Sequence, residues 1–125
     1  MRLLLDTHIV LWQLSGSRRL SDEAEQAIGQ AAELFFSVVS FAEIGVKAAV
    51  GKLSVPADLR TRIVDDGVTI LGLDADVGLS VADLPMHHRD PFDRLLVAQA
   101  ASAQLSLITA DQRLMAYDIH VIDGG

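Results

Sequence analysis

The sequence predicts an α/β protein with three layers, α/β/α, around a mainly parallel sheet of four to five strands. Short apolar runs alternate along the chain with longer segments of helical periodicity. That alternation is typical of strands joined by crossover helices, an arrangement in which the strands run parallel. The chain has 125 residues, half of them hydrophobic, which is enough to bury a core. We therefore expect residues 1–125 to form a single domain.

The first fifty residues contain two predicted strands and three predicted helices. The apolar run that ends at Asp6 predicts a buried strand, and "LFFSVV" is rich in the aromatic and β-branched residues that favour strands. Ser21, followed by two acids, is a good helix start, and Gly51 is a good helix stop. The strands are predicted at residues 2–5 and 34–39, and the helices at residues 8–14, 21–32 and 40–50.

The alternation continues through the rest of the chain. Asp74 and Asp90 are good N-cap residues, and Pro91 suits the first position of a long helix. Strands are predicted at residues 68–71, 107–109 and 120–122, and helices at residues 56–64, 74–84, 91–104 and 112–115.

The composition excludes several classes of protein. The chain has no cysteine, which rules out disulfides and thiolate metal sites. Its apolar runs are far shorter than the about 20 residues of a membrane-spanning helix. The N-terminal segment carries Asp6 inside its apolar stretch and lacks a small-residue cleavage site, which argues against a signal peptide. We therefore expect a cytoplasmic protein with no membrane partner.

The net charge of −7 argues against a basic nucleic-acid-binding surface. An acidic protein can still cleave a phosphodiester when a divalent cation lies between its carboxylates and the phosphate. The same charge favours a basic protein partner. The mean hydropathy of +0.34 suggests that a second chain covers some apolar surface.

Four acids fall where the predicted strands end. Asp6 ends the first strand, and Glu43 lies one turn into the helix after the second strand. Asp93 is in the first turn of the long helix, and Asp111 lies two residues after the strand that ends at Thr109. Ligands bind parallel sheets beyond the carboxyl ends of the strands. We therefore expect these four carboxylates at one edge of the sheet.

Converging carboxylates repel one another, so one of them must take up a proton unless a cation is present. Mg²⁺ prefers oxygen ligands, and it can activate water and neutralise the charge that develops on a phosphate. Histidine and cysteine ligands would indicate zinc, but the chain has no helical His-x-x-x-His pair. The sequence therefore predicts a magnesium site.

Each acid also has a local explanation. Ser40 and Glu43 fit a capping box, and Asp111 could cap the short helix that follows it. Asp90 and Asp93 fit the cap and the third position of the long helix. Asp6 is the hardest to explain in this way, because a carboxylate directly after three leucines is buried and needs a partner.

Neighbouring residues have weaker assignments. Arg94 follows Asp93 and is expected to meet a phosphate or a neighbouring carboxylate. Lys47 is spaced for an ordinary i,i+4 ion pair with Glu43. His87 and His88 lie in a polar loop and receive no role.

Four segments in order resemble PIN-domain proteins, and more narrowly the VapC type of toxin ribonuclease. The segments are "LLLDTHIVLW", "SVVSFAEIGVKAAVGKL", "DPFDRLLVAQA" and "LITAD". The resemblance implies an endoribonuclease that uses Mg²⁺ or Mn²⁺, cuts structured RNA such as transfer RNA, and stops translation. It also implies a homodimer and a small antitoxin whose basic tail offers an arginine to the acidic pocket.

The resemblance assigns roles to the residues at the predicted edge. The four acids of the family match Asp6, Glu43, Asp93 and Asp111. Asp6 and Asp93 are expected to be the main metal ligands. Asp90 is expected to orient Asp93, and Thr7 and Thr109 are expected to assist with their hydroxyl groups.

Two other readings remain open. The chain could be a PIN-like interaction scaffold without activity, which would fail to bind Mn²⁺. It could also be a phosphotransfer enzyme or receiver, since both use an aspartate after the first strand. Phosphatases of that kind need a second aspartate where this chain has His8, and receivers need an acidic pair just after the first strand, where this chain has Asp6 and Thr7.

Overall fold

The computed structural model describes residues 1–125 and contains a five-stranded parallel sheet with six α-helices. The strand order is β3-β2-β1-β4-β5, so β1 and β4 are neighbours near the centre. The predicted fold class is confirmed. The strands are β1 Arg2–Leu5, β2 Glu33–Ser37, β3 Val68–Leu71, β4 Ser106–Thr109 and β5 Val121–Asp123. The helices are α1 Thr7–Ser15, α2 Asp22–Gln30, α3 Val38–Ala49, α4 Leu59–Asp65, α5 Ala75–Ser80 and α6 Pro91–Ala103.

The core lies on both faces of the sheet. Successive side chains of a strand point to opposite faces, and in β1 Leu5 packs in one apolar cluster with Ile9 and Ile108 while Leu4 packs in a second cluster with Leu96 and Leu107. Such two-sided burial explains why the central strands have nearly continuous apolar sequences.

The junction between β2 and α3 differs from the prediction. The strand stops at Ser37, and its hydroxyl accepts a hydrogen bond from the backbone N–H of Val39 at 2.9 Å, so the helix begins at Val38. The capping box expected at Ser40 is therefore absent. Ser40 is fully buried in the first turns of α3, and its hydroxyl has no hydrogen-bond partner.

Two further segments differ in detail. The helix predicted at residues 74–84 is split into α5 and a 3₁₀ turn, Val81–Asp83. The short helix predicted at residues 112–115 is a 3₁₀ helix, Gln112–Ala116. None of the helices has both the length and the hydropathy that crossing a membrane requires.

Arg94 organises the loop that leads into α6. Its side chain is buried, with the residue only 6% exposed, and the guanidinium donates to backbone carbonyls and to one phenol oxygen. The prediction that Arg94 meets a phosphate or a carboxylate is therefore wrong. The N–H donors of its guanidinium are directed into the loop instead. The acceptors are the carbonyls of Val81 (3.0 Å), Leu84 (3.3 Å), Pro85 (2.9 Å) and His88 (3.5 Å), and the hydroxyl of Tyr117 (3.2 Å).

We expect Arg94→Met to lower the free energy of unfolding by about 2–4 kcal/mol, because four loop carbonyls lose a charged donor. The matched control is Arg89→Met, which changes an exposed arginine of the same loop. Urea denaturation of both variants measures the difference. A loss in the Arg94 variant no larger than that in the control would contradict the role assigned to the guanidinium.

Candidate active site

The four predicted acids line one pocket of about 360 Å³ at the carboxyl edge of the sheet. Asp90 lines the same pocket, as do the basic side chains of Arg18, Lys47 and Arg113. The structure therefore brings together carboxylates from four separate parts of the chain. The remaining lining residues are His8, Trp12 and Ala110.

Asp6 lies where β1 passes into α1, and the residue is 5% exposed. Its Oδ1 accepts the backbone N–H of Thr7 at 2.7 Å and so caps the helix. Its Oδ2 accepts the hydroxyl of Thr109 at 2.7 Å, because β4 lies beside β1 and ends at that threonine. Burial raises the pKa of Asp6, and these two hydrogen bonds act in the opposite direction.

Glu43 enters the pocket from the second turn of α3 and is 3% exposed. Its Oε1 accepts the hydroxyl of Thr7 at 2.7 Å. Its Oε2 accepts a hydrogen bond from the ammonium of Lys47 at 2.6 Å, so the expected i,i+4 pair forms. That bond raises the pKa of Lys47 and keeps one positive charge among the carboxylates.

The first turn of α6 supplies two carboxylates. Asp90 is the N-cap, and its Oδ1 accepts the backbone N–H groups of Phe92 (2.8 Å) and Asp93 (3.1 Å). Asp93 is 9% exposed at the third position of the helix. Burial, followed by repulsion from Asp6, Asp90, Glu43 and Asp111, raises its pKa to about 8. Asp93 and Asp6 are thus two carboxyls whose negative charge is unfavourable in this pocket.

Asp111 follows β4 and caps the 3₁₀ helix by accepting the backbone N–H of Arg113 at 3.0 Å. The guanidinium of Arg113 also donates to both of its oxygens, Nε to Oδ1 at 3.1 Å and Nη2 to Oδ2 at 2.9 Å. These hydrogen bonds lower the pKa of Asp111. Asp111 and Asp93 therefore lie in the same pocket with opposite shifts of pKa.

His88 lies against two of the pocket's carboxylates although its sequence context gave it no role. The residue is 7% exposed, and its Nε2 lies 2.8 Å from Oδ2 of Asp93 and 3.1 Å from Oδ2 of Asp111. Its neighbour His87 is exposed and packs edge-on against Tyr117. The composition of the loop does not show which of the two histidines has a role. The one available signal was that His88 lies five residues before Asp93 in the sequence.

The donors that face the pocket are mostly carboxylate oxygens, the ligand type that Mg²⁺ and Mn²⁺ prefer. Ligand atoms of His88, Asp93 and Asp111 lie within 4.8 Å of one another. Asp6 and Glu43 line the same pocket, and each accepts a threonine hydroxyl. Such an arrangement can bind a hard cation and the phosphate of a substrate.

A model of the PIN domain family matches residues 3–119 of the chain. Ribonuclease VapC22 of Mycobacterium tuberculosis is 32% identical over 117 residues, which span 91% of this chain and 90% of that protein.

Two solved toxin–antitoxin structures have the same fold. VapBC2 from Rickettsia felis, crystallised with a DNA fragment from its promoter, matches with a TM-score of 0.74 at 14% identity over 100% of both chains. VapBC-1 from nontypeable Haemophilus influenzae matches with a TM-score of 0.67 at 20% identity over 98% of both chains. The family model covers most of the sequence and VapC22 aligns over nine tenths of it, so this chain is a member of the PIN domain family, in its VapC-type branch.

Proposed function

We propose that the chain is a Mg²⁺- or Mn²⁺-dependent endoribonuclease toxin that cuts structured RNA, such as transfer RNA, and so inhibits translation. The observation that carries the proposal is the convergence of five carboxylates in one pocket at the sheet edge. The similarity to a ribonuclease supports RNA as the substrate.

The donor set fits a hard divalent cation. Oxygen ligands dominate, the chain has no cysteine, and Asp93 has its pKa raised to about 8 by burial and by the other acids. A bound cation offsets the repulsion between these carboxylates, which an uncharged environment does not. We assign Asp6 and Asp93 as its main ligands, and Glu43 and Asp111 as ligands that act directly or through water. When bound, the ion supplies positive charge that offsets the charge on the phosphate and makes water a stronger nucleophile.

The remaining residues hold this set in place. The hydroxyls of Thr7 and Thr109 fix the carboxylates of Glu43 and Asp6, and Lys47 balances the charge of Glu43. No serine or cysteine lines the pocket, so no side chain is available as a covalent nucleophile of that kind. Water attacks the phosphodiester, and the products carry a 5′-phosphate and a 3′-hydroxyl.

We also propose two protein partners. The net charge of −7 and the acidic pocket suit an antitoxin with a basic tail that places an arginine among the carboxylates. Val46, Val50 and Leu79 are 55%, 65% and 75% exposed, which suits coverage by a second chain in a homodimer. The similar solved structures are VapBC assemblies, which supports the antitoxin.

We expect Asp6→Asn to abolish RNA cleavage while the chain stays folded, because the amide keeps the shape of the side chain and removes its charge. The loss should exceed the about 10- to 100-fold typical of residues that only orient a ligand. Mapping the ends of cleaved RNA, with Asp65→Asn as an exposed control on α4, measures the effect. Undiminished cutting by the Asp6 variant would overturn the assignment. A wild-type chain that binds no Mn²⁺ in calorimetry would indicate the inactive scaffold.

The metal-free chain should lose stability as the pH rises from about 5 to about 8. The folded state holds the proton of Asp93 more tightly than the unfolded state, with a pKa of about 8 against an ordinary 3.8. Its contribution is therefore complete below the ordinary pKa and is lost as the pH passes the folded pKa. Urea denaturation in a chelator, at several pH values, should show a smaller loss for Asp93→Asn. Parallel pH profiles for the two proteins would contradict the raised pKa.

A further inference from the structure

We infer that His88 is a positioning residue whose Nε2–H orients the carboxylate of Asp93, close to that of Asp111, for a shared cation. The inference rests on the proposed function, because it assigns the histidine to the same metal site. It concerns how one of the acids is oriented and adds no new ligand.

Every other acid that we assign to the cation already has a protein donor of its own. Asp6 accepts the hydroxyl of Thr109, Glu43 accepts Lys47 and a hydroxyl, and Asp111 accepts Arg113. The carboxylate of Asp93 has one protein partner, the imidazole of His88 at 2.8 Å. A single side chain therefore sets the orientation of the Asp93 carboxylate.

The tautomer follows from the second ring nitrogen. The backbone N–H of Asp90 points to Nδ1 of His88 at 3.4 Å, so Nδ1 is the acceptor and Nε2 carries the hydrogen. That hydrogen is donated to Oδ2 of Asp93 at 2.8 Å, and Oδ2 of Asp111 lies 3.1 Å from the same nitrogen. The imidazole therefore fixes the Asp93 carboxylate close to that of Asp111, where both could hold a cation.

Contacts of the His88 backbone with Tyr117 and Arg94 hold the ring in place. The backbone N–H of His88 donates to the hydroxyl of Tyr117 at 3.1 Å, and the same hydroxyl accepts Arg94 at 3.2 Å. The guanidinium of Arg94 also lies 3.5 Å from the carbonyl oxygen of His88. These contacts fix the loop without a metal, and the side chain of His88 is only 6% exposed. The histidine is thus preorganised to act on carboxylates and is too buried to contact RNA.

Calorimetric titration of the full chain with Mn²⁺ tests the inference. We expect His88→Leu to weaken binding by about 10- to 100-fold. We expect His88→Gln, whose amide nitrogen can reach the position of Nε2, to recover most of the affinity. His87→Leu, the exposed neighbour, should bind as the wild type does. Equal affinity of His88→Leu and wild type, or an equal loss in His88→Gln and His88→Leu, would overturn the inference.

Steady-state cleavage of RNA separates this inference from the proposed function. We expect His88→Leu to lower kcat and leave KM unchanged, because the side chain does not face the substrate. A wild-type chain that cuts no RNA defeats the proposed function. If the wild-type chain cuts RNA and the His88→Leu variant has unchanged kcat and Mn²⁺ affinity, the positioning role alone is contradicted.

Nitrogen NMR of the unmodified, Mg²⁺-loaded chain gives a result even where the leucine variant does not fold. We expect the hydrogen of the His88 ring on Nε2. A bare Nε2 would mean that this nitrogen binds the cation itself, and that result would overturn the positioning role.

Discussion

Crowded negative charge at the carboxyl edge of the sheet is the constraint on which the arrangement of this protein depends. Five carboxylates share a pocket of about 360 Å³, and burial strengthens their repulsion. Local hydrogen-bond donors offset part of this negative charge. Hydroxyl groups donate to Asp6 and Glu43, an ammonium donates to Glu43, and a guanidinium donates to Asp111. Burial still raises the pKa values of Asp6 and Asp93, so both carboxylates keep an unfavourable charge. A cation beside these two carboxylates has most to contribute.

The parallel sheet makes this crowding possible. Adjacent parallel strands end at the same edge, so β1 and β4 place Asp6 beside Thr109. Apolar clusters on both faces hold the central strands, which keeps the strand ends from relaxing apart. A carboxylate on a loose loop would turn into solvent and escape its neighbours. Here the carboxylates stay close together despite their repulsion, because the scaffold is rigid.

The sequence was sufficient to predict the elements and the acids, because both leave short-range patterns. Apolar runs mark the strands, and acids at their ends follow from the direction of a parallel sheet. The start of α3 was misplaced because Ser37 and Ser40 are both good caps, and only the pairing of β2 with its neighbours decides between them.

His88 and Arg94 escaped prediction for a different physical reason. Their partners depend on how the loop before α6 folds back onto Tyr117, a contact between residues far apart in the chain. An arginine beside an acid looks like a charge partner in sequence. In the fold, its guanidinium donates to carbonyls of the loop instead.

The same carboxylates cap helices and line the pocket. Asp6, Asp90 and Asp111 each use Oδ1 to cap a helix, and their side chains line the pocket. A helix N-terminus carries partial positive charge, which lowers the cost of holding an anion there. Three helix starts therefore converge on the pocket and offset part of its negative charge. Capping fixes one oxygen of each carboxylate, and the second oxygen accepts Thr109 in Asp6 and Arg113 in Asp111.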